Sequence, residues 1–201
     1  MLTHRALGRD LELLVVCVVD NRRPMLSALR AMLAAIGVGR IETFEHPAEA
    51  LDSMRRDVPD IVFAADELRP LSGCDLIRQI RAEAEPLCLV PALITSTHTK
   101  PNLVDDALIA GAHQLLVLPI SASTLCRRLD WLLNDDRPFE VVAGHYVVAG
   151  LKERLELSRQ SPIYVSNLPR DTAKGEAGRM VSNGGRGIPT PAESVARLIG
   201  P

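Results

Sequence analysis

Oxygen-bearing side chains stand where several apolar, β-type runs of this 201-residue chain end. The residues at four of these ends are Asp20-Asn21, Ala65-Asp66, Ser96-Thr97 and Leu118-Pro119. Carboxylate oxygens anchor Mg²⁺ in proteins, and hydroxyl groups can hydrogen-bond phosphoryl oxygens. Asp20 and Asp66 are therefore the acids that could bind a cation or take part in group transfer, whereas Leu118 can do neither.

Five apolar runs alternate with five amphipathic stretches between residues 13 and 133. The first run, Leu13–Val19, is continuous and suits a strand that is buried on both faces. The other strands are predicted over 41–44, 61–65, 90–95 and 114–117, and the helices over 24–36, 47–56, 75–82, 103–110 and 121–133. This alternation predicts an α/β fold, (βα)5, with a doubly wound parallel five-stranded sheet. Its functional crevice is expected at the carboxyl ends of the strands.

Composition disfavours several classes of partner. The chain has 23 Lys and Arg against 25 Asp and Glu, a net charge of −2, and only 3% aromatic residues. We therefore expect no nucleic-acid partner. No apolar run reaches the roughly 18 residues that a membrane span requires, so we expect no membrane partner. The four cysteines show no metal-binding spacing, which favours reduced core thiols in a cytoplasmic protein.

The chain resembles the receiver domain of bacterial two-component response regulators of the chemotaxis type. The matching segments occur in order over 13–133: Val18–Asn21, His46–Leu51, Pro59–Val62, Leu68–Gly73, Pro91–Thr97 and Ala110–Pro119. The resemblance implies a flavodoxin-like receiver fold. In that family an aspartate at the end of the third strand accepts a phosphoryl group from a histidine kinase. Two acids after the first strand hold Mg²⁺, and a Ser or Thr and a Lys after the last two strands bind the phosphoryl oxygens.

This chain departs from the family pattern at most of these positions. The acidic pair is Asp20-Asn21, so one carboxylate is an amide, and the Lys-Pro pair is Leu118-Pro119. Ser96 is retained. Counting forward from Pro59-Asp60 and back from Gly73 both place Ala65 at the phosphoacceptor position. Leu115 stands where many receivers carry an aromatic residue that reports phosphorylation.

An alternative register makes Asp66 the phosphoacceptor. It aligns Pro70 with the proline that follows the family's third strand, and it needs an extra strand residue and a compensating deletion before Gly73. Because strand side chains alternate between faces, a shift of one residue redirects the carboxylate unless a bulge re-aims it. Under this alternative Asp20 is the Mg²⁺-binding acid, and Mg²⁺ is the cofactor.

We therefore expect a degenerate, non-phosphorylatable pseudo-receiver rather than an enzyme, with no cofactor and no metal. The vestigial pocket consists of Asp20, Asn21, Ser96 and Leu118. The protein would bind a histidine kinase, another receiver or an output protein through the fourth helix, fifth strand and fifth helix, and a homodimer is a further arrangement to test. The alternatives are a phosphorylatable response regulator that uses Asp66, and a small-ligand binder in the strand-end crevice.

The remaining residues are expected to be accessory. Residues 1–12 form a lead, 13–133 the receiver-like domain, and 134–201 a mostly irregular extension with a weak helix over 151–157 and a short terminal helix over 191–199. Half of the aromatic residues lie in this extension, which predicts that it packs at least in part. His98 and His113 are expected in loop or surface positions, and Arg22-Arg23 on a solvated face.

Overall fold

The computed structural model describes residues 2–98, 100, 102–142 and 144–160. A five-stranded sheet forms its centre, in the order β2-β1-β3-β4-β5, and every neighbouring pair is parallel. The strands are β1 (Val15–Val19), β2 (Arg40–Phe44), β3 (Ile61–Ala65), β4 (Ala92–Ser96) and β5 (Gln114–Val117). The helices that connect or follow them are α1 (Arg23–Ala35), α2 (Pro47–Arg56), α3 (Gly73–Ala82), α4 (Leu103–Ile109) and α5 (Ala122–Leu133). The predicted doubly wound, flavodoxin-like fold is confirmed.

Both faces of the sheet are buried, as the continuous apolar runs predict. Cys17, Val62 and Ile94 belong to one core cluster, together with residues of α2, α3 and α4. Val18 and Phe63 point the other way, into a second cluster with residues of α1 and α5. Burial raises the pKa of the Cys74 thiol to about 11. All four cysteines are free, and Cys126 alone is only half-buried.

The lead packs against the amino-terminal edge of the sheet. β1 begins at Val15, because Leu13 belongs to a short 3-10 turn and is largely exposed. Arg5 and Arg9 bind the buried carboxylate of Asp60, with N–O distances of 3.0 and 2.9 Å. These ion pairs attach the lead to the amino-terminal edge of the sheet.

The extension is more regular than the sequence predicts. Residues 139–160 form an antiparallel hairpin, β6 (Phe139–Val142) and β7 (His145–Val148), followed by α6 (Leu151–Gln160). This hairpin was not predicted from the sequence. Phe139 is buried and Tyr146 packs beside it, which confirms that the extension packs in part. The predicted terminal helix over 191–199 lies outside the described residues.

The hairpin and α6 pack on α3 and α4. The described residues group as one unit. His113 lies in the loop just before β5, as one form of the prediction has it, but it is buried rather than at the surface. Its ring makes edge contacts with His4 and Phe139, because the lead and the extension both cover the start of β5.

Candidate functional site

The register of the sheet decides which residue of β3 lies beside Asp20. Val19 on β1 pairs with Ala64 on β3. Asp20 and Ala65 are the residues that follow this pair along the two adjacent strands. Ala65 in turn pairs with Thr95 on the other side. Ala65 is 1% exposed, and it packs within the core cluster that faces α3. A methyl group has no atom that could accept a phosphoryl group.

Asp20 is buried and fully engaged by its neighbour Arg22. The guanidinium makes a two-pronged contact, in which Nε donates to Oδ1 over 3.0 Å and Nη2 donates to Oδ2 over 2.9 Å. The Arg22 backbone N–H donates to Oδ1 as well, over 2.9 Å. Hydrogen bonding to this carboxylate raises the pKa of the Arg22 guanidinium. The Arg22 side chain is still 38% exposed, so it lies at a solvated edge as the sequence predicts, but its charge is paired with Asp20.

The Asn21 side chain forms hydrogen bonds with the backbone of two loops. Its side-chain Nδ2 donates to the carbonyl oxygen of Glu45 over 2.6 Å, and its Oδ1 accepts from the Arg69 backbone N–H over 2.7 Å. These contacts join the loop after β2 to the loop after β3. The amide therefore has a structural role at this edge.

Asp66 lies one residue beyond β3 and is paired with Lys100. Lys100 Nζ stands 2.8 Å from Asp66 Oδ2 and 2.9 Å from Glu67 Oε1. The two carboxylates raise the pKa of Lys100, and Lys100 lowers the pKa of Glu67. The Asp66 side chain is 10% exposed, so it is better covered than the solvated loop acid that the sequence suggests.

Ser96 and Leu118 complete the strand-end row. Ser96 Oγ donates to the carbonyl oxygen of His98 over 2.7 Å and accepts from the His98 N–H over 3.2 Å, so it stabilises the loop after β4. Leu118 is buried in the core cluster with residues of α1 and α5. It supplies no cation. Leu115 is half-buried against the opposite cluster.

Mg²⁺ does not fit these residues as the family resemblance would place it. Both oxygens of Asp20 face a guanidinium, and the Asn21 side chain is bound to backbone groups. Within the part of the chain that the structure describes, no group of three or more His, Cys, Asp or Glu residues is arranged to hold a metal ion. Nor is any helix there long and apolar enough to cross a membrane.

Sequence reasoning missed the two cations of this edge, Arg22 and Lys100. A signal was available for Arg22, because a basic residue two positions after a strand-end acid can fold back onto the carboxylate at the turn into the helix. Lys100 carries no such signal. It lies 34 residues from Asp66 in the chain, and only the parallel order of β3 and β4 brings the two together.

Comparison with known proteins agrees with this architecture. Over 115 residues the chain is 26% identical to chemotaxis protein CheY-3 of Vibrio cholerae, which covers 57% of this chain and 88% of that protein. It is 28% identical over 123 residues to response regulator MprA of Mycobacterium avium, covering 61% of this chain and 52% of that protein.

Solved structures show the same fold. Chemotaxis response regulator CheY4 of Vibrio cholerae aligns with a TM-score of 0.54 at 22% identity, over 60% of this chain and 98% of that one. A response regulator from Thermotoga maritima aligns with a TM-score of 0.53 at 25% identity, over the same shares. The protein-family model for the response regulator receiver domain matches residues 16–130, which is more than half of the sequence. The chain therefore belongs to the response regulator receiver domain family of two-component signalling.

Proposed function

We propose that this receiver domain is not phosphorylated and that it signals by binding protein partners. The observation that carries the proposal is the register of β1 and β3, which sets Ala65 beside Asp20. Phosphoryl transfer needs a nucleophilic oxygen, and it needs cations that neutralise charge on the transferring group. Ala65 offers no oxygen, and Leu118 offers no charge. The protein is then neither an enzyme nor dependent on a cofactor or metal.

The outer edge of the sheet suits a protein partner. β5 is one of the two edge strands of the five-stranded sheet, and Val117 on it is 41% exposed. Ile109, near the end of α4, is 49% exposed. We infer that these two exposed apolar side chains belong to a contact with another protein surface. We infer that a histidine kinase, another receiver, an output protein or a second copy of the chain binds this edge, in the cytoplasm and without nucleic acid or membrane.

A second candidate function uses Asp66 as the phosphoacceptor. Lys100 favours it, because its ammonium group stands beside Asp66 and could supply the cation that Leu118 lacks. Against it, Asp66 follows the strand rather than ending it, and Asp20 is bound by Arg22. Under this candidate Asp20 would have to release Arg22 before it could bind Mg²⁺.

Incubation with acetyl phosphate and Mg²⁺, followed by intact-protein mass spectrometry, separates the two candidates. We expect no added phosphoryl group on the parent chain. Stoichiometric, acid-labile phosphate on any aspartate would overturn the leading proposal. If that labelling disappeared in Asp66→Asn and persisted in Asp75→Asn, the second candidate would stand, because Asp75 caps α3 and pairs with Arg78, away from the strand ends.

A further inference from the structure

Asp20 presents its charge to Arg22 in a geometry that leaves little room for another cation. Three donors reach its two oxygens: the guanidinium Nε and Nη2, and the Arg22 backbone N–H. A planar guanidinium that contacts both oxygens of a carboxylate matches its charge and its shape. Asp20 itself is 1% exposed, so water does not compete freely for these oxygens.

The same guanidinium also reaches the loop that follows β4. Its Nη1 donates to Thr97 Oγ1 over 3.3 Å. Arg22 therefore joins the end of β1 to the start of the connection between β4 and α4. Lys100, farther along that connection, joins it to Asp66 and Glu67 after β3.

We propose that Arg22 is a built-in counter-cation, which takes the position at Asp20 that a divalent cation holds in phosphorylated receivers. The chain itself then neutralises its strand-end acids, and the β4–α4 connection is attached to β1 and β3 without a bound ion. Arg22 lies two residues from Asp20 in the same chain. A free ion must therefore displace a guanidinium that cannot diffuse away. With Asn21 committed to backbone contacts, a free ion would gain only one carboxylate in exchange.

This inference goes beyond the lack of phosphorylation, because it concerns cation binding and can fail separately. Its test is Mg²⁺ binding by metal-free protein, measured as the shift in melting temperature against NaCl of equal ionic strength and by calorimetric titration. The parent chain should show no Mg²⁺-specific shift. Arg22→Ala should gain a Mg²⁺-dependent rise in melting temperature and at least about tenfold stronger Mg²⁺ binding than the parent.

Three further variants show whether the gain arises at Asp20. Arg23→Ala is the matched control, because Arg23 is exposed and pairs with Glu45 instead, so it should behave as the parent. The double change Arg22→Ala with Asp20→Asn should lose the gain. Arg22→Lys keeps the charge but loses the two-pronged contact, and it should bind Mg²⁺ with intermediate strength; it also replaces Arg22→Ala if that variant does not fold.

Two results would overturn the inference. One is a parent chain that binds Mg²⁺ as tightly as Arg22→Ala, and the other is the absence of any gain when Arg22 is replaced. Mg²⁺ binding as tight as that of Arg22→Ala, by a parent chain that acetyl phosphate does not label, would remove this inference and leave the proposed function intact. Labelling of the parent by acetyl phosphate would remove the proposed function. It would leave this inference intact if the parent still bound Mg²⁺ more weakly than Arg22→Ala.

Discussion

Gly73 lies directly against the backbone of Ala65, at the point where the strand-end residue meets the first turn of α3. A Cβ at position 73 would stand 2.3 Å from the Ala65 carbonyl oxygen and 2.9 Å from its carbonyl carbon. Backbone atoms cannot swing aside as a flexible side chain can. The position of β3 relative to α3 therefore depends on the missing side chain of Gly73.

Gly73→Ala should destabilise the fold by about 3 kcal/mol, since the added methyl group forces β3 and α3 apart. Urea unfolding followed by circular dichroism measures the change. Gly8→Ala is the control, because Gly8 has a φ of +69° but open space around it. It should cost about 1 kcal/mol, from the backbone conformation alone. Equal losses for the two variants would contradict the close approach at Ala65.

Asp60 should be among the least replaceable acids of the chain. Its buried carboxylate accepts from Arg5, from Arg9 and from the Val15 backbone N–H over 2.9 Å. Asp60→Ala leaves that N–H without its acceptor and releases the lead, so we expect a loss of about 2–3 kcal/mol in the free energy of unfolding. Hydrogen exchange over residues 2–12 should accelerate in the same variant.

Asp57→Ala provides the comparison for Asp60. Asp57 is exposed and pairs with Arg40 at the surface, where an ion pair is worth about 1 kcal/mol or less. A loss at Asp60 no larger than that at Asp57 would show that the lead is not attached through Asp60.

The fold could be read from the sequence because its signals are local and repeated. The apolar run before Asp20 and the glycines that end α1 and α4 each mark a boundary. Gly37 and Gly111 adopt positive φ angles of +90° and +89°, which a residue just after a helix often requires. The hairpin was within reach too, because Gly144, with a φ of +82°, separates two short β-type runs.

The site could be predicted only as a set of positions. Periodicity brings Asp20, Ala65 and Ser96 to one edge of the sheet, but it contains no information about which side chains pair there. The contacts of Arg22 and Lys100 depend on loop geometry and on side-chain reach. The burial of His113 depends on the extension, whose packing follows from contacts between residues far apart in the chain.

Two buried arginines beneath the extension should differ in how much their replacement lowers the free energy of unfolding. Arg81 uses every nitrogen: Nε and Nη2 donate to the Gly111 carbonyl oxygen, and Nη1 donates to those of Cys88 and Val90 over 2.8 Å each. Burial lowers its pKa to about 9. Arg81→Met removes these donors from three buried carbonyl groups, so we expect a loss of about 3 kcal/mol in urea unfolding.

Arg154 is buried as deeply but is only partly satisfied. Nη2 donates to the His113 carbonyl oxygen over 2.8 Å, while Nε and Nη1 have no partner among the described residues. Burial lowers its pKa to about 9 as well. Arg154→Met keeps the side-chain volume and removes an incompletely paired charge. The free energy of unfolding should therefore fall by no more than about 1 kcal/mol, or rise. A loss as large as that of Arg81→Met would mean that Arg154 holds α6 in place.

Acidic pH should weaken the packing of the lead and the extension, through His4 and His113. Burial lowers the pKa of His4, although Asp135 opposes the change, and burial lowers the pKa of His113 well below 6.5. The charged groups that face these rings are Asp135, Arg137, Arg81 and Arg154, and the arginines add to the shift at His113.

Stability should fall as the pH drops below about 6.5, because the unfolded chain then binds a proton that the folded chain refuses at His113. The loss from His113 can be no larger than about 1.4 kcal/mol one pH unit below that value, and it levels off below the folded-state pKa. Urea unfolding at pH 7.5 and 5.5 measures it. His113→Leu should flatten this dependence even though it alters the stability itself, and His46→Gln, at an exposed site, should leave it unchanged. An equally steep pH dependence in His113→Leu would show that another group binds the proton.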